Sequence, residues 1–218
     1  DINAGIEMST GTALQAVGNI SLNGNVGNSD IVINGNVVAT GLGSTVTTTA
    51  AGSGEVHLSA DIASNSGAIT FNSPVQLFSS TIVNSANAPI TFGGSVTGLG
   101  HTLTLQNNTA ANGVVTFNGN VNLQGITTYA QPYEVIFNGS DNQISVTNTF
   151  LNTAGLVLGN GGDTFTFDNG LNYAGQVELG GSISSGSNIA LNDIVVNQDS
   201  LLDAQSNNIM IGQVTGSG

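Results

Sequence analysis

The chain of 218 residues contains no lysine and no arginine, and that absence excludes more than anything present in it. Partners rich in phosphate are held by cationic side chains that replace their counterions. Thirteen acids against no base, a net charge of −13, therefore rule out DNA and RNA as partners and disfavour anionic membrane surfaces. Cysteine is absent too, which removes disulfides, thiolate nucleophiles and Cys-ligated metals together. Tryptophan is missing and tyrosine occurs three times, too sparse for the exposed aromatic platforms that usually line sugar grooves. No run of eighteen or more apolar residues occurs, so no transmembrane helix is expected. Charge of either sign is scarce: 6% of residues, against a usual share of about 25%.

What fills the chain instead is glycine, asparagine, serine, threonine and β-branched apolar residues, 39% of the whole being hydrophobic. Gly and Asn interrupt almost every window in which a helix could form. The most regular stretch is Val114-Val-Thr-Phe-Asn-Gly-Asn-Val-Asn-Leu123. Val115, Phe117, Val121 and Leu123 fall on one side of an extended chain, Thr116 and Asn122 on the other, and Asn118-Gly119 turns the chain between them. It reads as strand, corner, strand.

The same word recurs. Ile20-Ser-Leu-Asn-Gly-Asn-Val26 and Ile31-Val-Ile-Asn-Gly-Asn-Val37 are near copies eleven residues apart, and Ile69-Thr-Phe-Asn-Ser-Pro-Val75 and Ile90-Thr-Phe-Gly-Gly-Ser-Val96 are copies 21 apart. Val135-Ile-Phe137, Phe165-Thr-Phe167, Val177-Glu-Leu179, Ile189-Ala-Leu191 and Ile209-Met-Ile211 continue the series. Units of about twenty residues that cannot bury their own apolar faces stack into a solenoid. The shorter spacing then separates two faces of one coil, and the longer one equivalent faces of successive coils. A β-sandwich is the alternative, since short strands at such intervals suit it as well. The recurrence of Asn at the same corner favours stacked coils. Residues 1–18 read as an N-terminal cap or linking segment, and 19–218 as the repeat domain.

The phrases Gly67-Ala-Ile-Thr-Phe-Asn-Ser-Pro-Val75, Val114 to Val121 and Leu158-Gly-Asn-Gly-Gly-Asp-Thr-Phe-Thr-Phe-Asp-Asn-Gly-Leu171 resemble repeats of large bacterial secreted surface proteins of the filamentous haemagglutinin and autotransporter-adhesin type. The resemblance spans roughly residues 19–215. It implies a right-handed parallel β-helix at the cell exterior, serving as stalk, adhesin or fibre, and brings no catalytic residue, metal or cofactor with it. The start at Asp1, without a basic and apolar leader, reads as a processed protein or an excised segment, in keeping with a secreted or cell-surface location.

Candidate sites are few. His57 and His101 are the only histidines and have no second ligand at metal-binding spacing, so surface or corner roles are expected. Gly159-Asn-Gly-Gly-Asp163 matches part of a calcium-binding glycine and aspartate repeat, but as a single copy with Leu158 at its first position it reads as a turn. A glycosidase would need two carboxylates, and Asp163 with Asp168, or Asp199 with Asp203, are the pairs on offer; solvated loop acids are the expected account of both pairs. Thr45 to Thr49 could form a flat threonine array of the kind that orders water, or simply reflect β-propensity.

The composition and repeats thus point to an extracellular structural or adhesive protein, not an enzyme, with no catalytic, cofactor or metal residues. The alternative is a carbohydrate-binding or carbohydrate-cleaving β-helix, with surface or matrix polysaccharide as its partner. Three structural expectations follow. Phe71, Phe92, Phe117 and Phe137 lie inside the rod; Asn34, Asn72, Asn118 and Asn138 form a ladder at the corner; and open coil ends join copies of the chain head to tail into a filament.

Overall fold

A computed structural model describes residues 6–24, 27–106 and 112–216. Asp1, Val26, Ser217 and Gly218, which belong to the expected cap, the first repeat word and the C-terminal tail, lie outside the described residues.

The apolar-polar-apolar words form short strands because alternate side chains of an extended chain leave on opposite sides. Burial follows that alternation: in Ile69–Phe71, Ile90–Phe92 and Val56–Leu58 the two outer side chains are buried and the central one is half-buried. The described residues hold twenty-three strands, from Ile6–Met8 to Ile209–Gly216, and no helix. Strands pair in parallel with their equivalents in the neighbouring coils, which excludes an antiparallel sandwich. The result is a right-handed parallel β-helix of about ten coils. At about 4.8 Å per coil it is a rod about 50 Å long.

Each coil has three faces rather than the two expected. The first face carries an inward column from Ile6 through Ile31, Val56, Val75, Val96, Val121, Asn142, Phe165 and Ile183 to Leu202. The second face runs from Ala13–Ala16 through Asn36–Ala39 and Ile62–Ser64 to 209–211. The third runs from Ile20–Asn23 through Val46–Thr49 and Ile69–Phe71 to 213–216. The near-identical words at Ile20 and Ile31 therefore occupy different faces: Ile20 lies on the third face of one coil, and Ile31 on the first face of the next. Register-equivalent residues are as few as 17 apart (Val177 to Ile194) and as many as 26 (Ile20 to Val46), the corners absorbing the difference. The described part of residues 1–18 is itself wound into the stack, Ile6–Met8 on Ile31–Ile33 and Ala13–Ala16 on Asn36–Ala39.

Phe71, Phe92, Phe117 and Phe137 occupy one inward column of the third face and are all buried. Their rings stack nearly parallel with centroids 4.8–4.9 Å apart, because in-register parallel strands repeat at that spacing. Above Phe137 the column continues as Leu158, and Phe150 and Phe165 of the other two faces meet Phe137 edge-on, each 6.1 Å away. Below Phe71 the column continues as Thr48, fully buried, whose hydroxyl has no hydrogen-bond partner.

The asparagine ladder forms only in part. Asn138 donates to the Asn118 side-chain oxygen at 3.1 Å, and Asn72 donates to the Thr49 hydroxyl at 2.8 Å. Gly93 takes the corner position between Asn72 and Asn118 and interrupts the series, and Asn34 sits at a different corner, between first and second faces. More often a corner amide or acid oxygen accepts a backbone N–H from the next coil, as Asn36 does from Asp61, Asp61 from Ile82, and Asn120 from Asp141. These bonds satisfy corner amides that leave the strand ladders.

Candidate binding recess at a stepped corner

The corner between the second and third faces shortens along the rod. Between the strands it joins, it spans residues 128–133, then 151–154 one coil on, then 174–175, then Asn192 alone, then Gly212 alone. Glu134, Gly155, Gln176, Asp193 and Gln213 mark the start of the third face in these coils and stay in register. Because the face continues while the corner shrinks, the long corner overhangs the short ones. The space left over is a recess in two connected parts. One is lined by Leu151, Asn152, Thr153, Tyr173 and Gly175. The other extends along Asn172, Asn192, Met210 and Ile211. Phe150, Leu151, Tyr173 and Ala174 line both.

The walls are mainly apolar, and two polar atoms buried behind them are unsatisfied. Tyr173 is 3% exposed and its hydroxyl has no hydrogen-bond partner. A side chain on Gly175 would come within 2.6 Å of that hydroxyl, so the glycine leaves room for it. Asn152 is buried; its amide nitrogen donates to Tyr133 O at 3.2 Å and Gly155 O at 2.7 Å, while its side-chain oxygen accepts nothing. Burial first, then the Glu134 carboxylate, raise the Tyr173 phenol above its ordinary value; the Gly155 backbone, close by without hydrogen-bond geometry, offsets part of this. Burial and then the Glu178 carboxylate push Glu134 above the usual carboxylate range.

The residues singled out in the sequence are placed elsewhere. His57 approaches one carboxylate, Asp30, at 3.7 Å and tilts against Phe78 with ring centroids 4.9 Å apart. His101 borders a shallow hollow with Gln76, Leu99 and Asn122. Among the described residues no group of three or more His, Cys, Asp or Glu comes together. Asp163 is buried, and its carboxylate accepts the Asn160 backbone N–H at 2.7 Å, closing the turn in which Gly159, Gly161 and Gly162 adopt positive φ. Asp168 accepts from Gln143 at 3.1 Å. The two acids bracket an extended stretch of five residue steps, about 16 Å at strand rise, wider than the carboxylate pairs of glycosidases. Asp199 is exposed, and Asp203 accepts the Gln205 backbone N–H at 2.7 Å. Thr47, Thr70, Thr91 and Thr116 stand in one outward column, an array a single threonine wide that gives way to Ile136.

Sequence reasoning passed over Glu134, Asn152 and Tyr173. The only signal for them is the unequal length of consecutive corners, which becomes visible once the coil register is known.

No protein-family model matches the chain, and no curated protein or solved structure is significantly similar to it.

Proposed function

We propose that the chain is an extracellular structural rod that joins its copies end to end, as a fibre subunit or a surface stalk. One observation carries the reading: at the end coils, among the described residues, several inward positions lose the cover that their equivalents have along the rod. At the last coil Ile209 is 40% exposed and Val214 56% exposed, although both occupy inward columns. At the first coil Ile6, Met8 and Leu14 are only partly buried. A second copy continues each column in the way coil follows coil within the rod, and pairs the free backbone groups of both edges. Such contact is heterologous and does not close on itself, so it generates a filament. An exterior location draws support from the Asn-, Gly- and Thr-rich composition and from the resemblance of the repeats to bacterial surface proteins. Sedimentation and negative-stain imaging over a concentration series test the reading. Rods that lengthen in multiples of one subunit are expected; a monomer that persists at high concentration sinks it.

A further inference from the structure

We infer that Asn160 is a site of self-modification: its side chain is deamidated by the backbone of Gly161, assisted by Gln198, to leave aspartate or isoaspartate at this position. The inference does not depend on end-to-end assembly, since the turn of residues 159–162 lies at a corner on the side of the rod.

Asn-Gly pairs are prone to this reaction because no side chain on the glycine keeps its backbone nitrogen from reaching the asparagine Cγ. The chain has seven such pairs, and six are built into the stack. At Gly24, Gly35, Gly113, Gly119, Gly139 and Gly170 the atoms nearest to where a side chain would stand are backbone atoms of an adjacent coil, 2.2–3.2 Å away. Asn23 and Asn169 are held further, by bonds from their side-chain amides to Ser21 and Ser145 and from the following glycine N–H to Thr49 O and Phe167 O. Asn138 is bonded to Asn118.

Asn160-Gly161 is built differently. Pairing with the preceding strands runs to Leu158 and resumes at Thr164, and pairing with the following strand runs to Leu158 and resumes at Asp163, so both ladders skip the turn. Asn160 is exposed; its bonds run through its backbone, and its side chain forms none among the described residues. The atoms nearest to Gly161 belong to a side chain, that of Gln198.

Gln198 donates from Nε2 to the Asn160 backbone oxygen at 2.7 Å, from two coils away. That oxygen belongs to the peptide whose nitrogen attacks. As the Gly161 N–H gives its proton to water, negative charge spreads onto this oxygen, and a donor already aimed there stabilises it. The nitrogen then bonds to Asn160 Cγ, the Cγ–Nδ2 bond breaks, and Nδ2 leaves as ammonia with a proton taken from water. Water opens the resulting five-membered imide at either carbonyl, which gives aspartate or isoaspartate. Asp163, whose carboxylate accepts the Asn160 N–H at 2.7 Å, fixes the main chain on the far side of the residue.

The test incubates the whole folded chain at mildly alkaline pH, cuts it with pepsin because trypsin has no site, and reads the peptides by mass spectrometry with electron-transfer fragmentation, which tells isoaspartate from aspartate. Asn160 is expected to convert at least about tenfold faster than Asn23, Asn118, Asn138 or Asn169, which must break a hydrogen bond first; in urea the difference should vanish. Gln198→Ala should slow conversion at Asn160 by about three- to tenfold, as for one hydrogen bond. If Gln198 merely held the turn in place, loosening it would speed conversion instead. Gln198→Glu keeps the size of the side chain, removes the donor and should slow conversion at least as much. Conversion of Asn160 no faster than that of the stacked pairs, or a rate left unchanged or raised by either Gln198 substitution, overturns the inference.

Discussion

Glu7 and Asp203 stand in the same outward column of the first face, one on the first coil and the other on the last. The column runs from Glu7 through Val32, His57, Gln76, Thr97, Asn122, Gln143, Thr166 and Ser184 to Asp203. Two rods joined in register therefore bring the Asp203 of one copy beside the Glu7 of the next, about 4.8 Å away along the ladder. Like charges directly opposed destabilise a strand pair, and no lysine or arginine is available to neutralise them. Glu7→Gln or Asp203→Asn should strengthen end-to-end association, and so should raising the salt until the screening length falls to a few ångströms. Weight-average sedimentation coefficients at fixed protein concentration measure this. Indifference to both substitutions and to salt would mean that the ends do not meet in this register.

Phe117 has a stacked phenylalanine on either side, Phe92 and Phe137. Phe117→Ala should cost about 3 to 5 kcal/mol, the usual range for a fully buried phenylalanine. Phe78, 49% exposed, should cost under about 1 kcal/mol when changed in the same way. Urea unfolding followed by circular dichroism separates the two. Equal losses would contradict the assignment of inside and outside.

Thr48 carries the opposite expectation. It sits at the foot of the phenylalanine column with an unpaired hydroxyl. Thr48→Val keeps the branched shape favoured in strands and removes the unsatisfied group, so stability should rise by about 1 kcal/mol. A loss in the same unfolding assay would show that the hydroxyl has a partner after all.

Tyr133 supplies a pH dependence. It is fully buried, its hydroxyl donates to Leu105 O at 3.3 Å and accepts from the Tyr129 N–H at 3.0 Å, and burial pushes its pKa from 10.0 up to about 12. Between those values the unfolded chain releases the proton while the folded chain keeps it, so stability falls as pH rises. The full contribution is present below about pH 10 and is lost by about pH 12, a change of about 2 to 3 kcal/mol. Tyr133→Phe should flatten that decline, whatever it does to stability at neutral pH. Tyrosinate absorbance during alkaline titration checks which state ionises first.

Much of the fold was legible because alternation and repetition are local. Ile69-Thr-Phe71 and its copies announce strands with two inward residues, and their recurrence announces stacking; the buried phenylalanine column follows directly. The number of faces was not legible, because one word serves two corners: Ile31 to Val37 turns from first face to second, Ile69 to Val75 from third to first. Gly93 hid the break in the asparagine ladder, since a glycine at a corner looks as suitable as an asparagine. The recess was the least legible part. It is made by differences in corner length, and it brings together Asn152 and Tyr173 from successive coils, neither of which belongs to a recognisable motif.

The three phenylalanines that meet edge-on at mid-rod come from three different faces, Phe137 from the third, Phe150 from the second and Phe165 from the first, in three successive coils. Backbone ladders tie each face along its length, and the faces meet one another through the shared core and the corners. Side chains that merely lie side by side in register can slip past one another, whereas rings wedged edge to face cannot do so without losing contact. At this level the three faces are therefore held against sliding by shape as well as by burial.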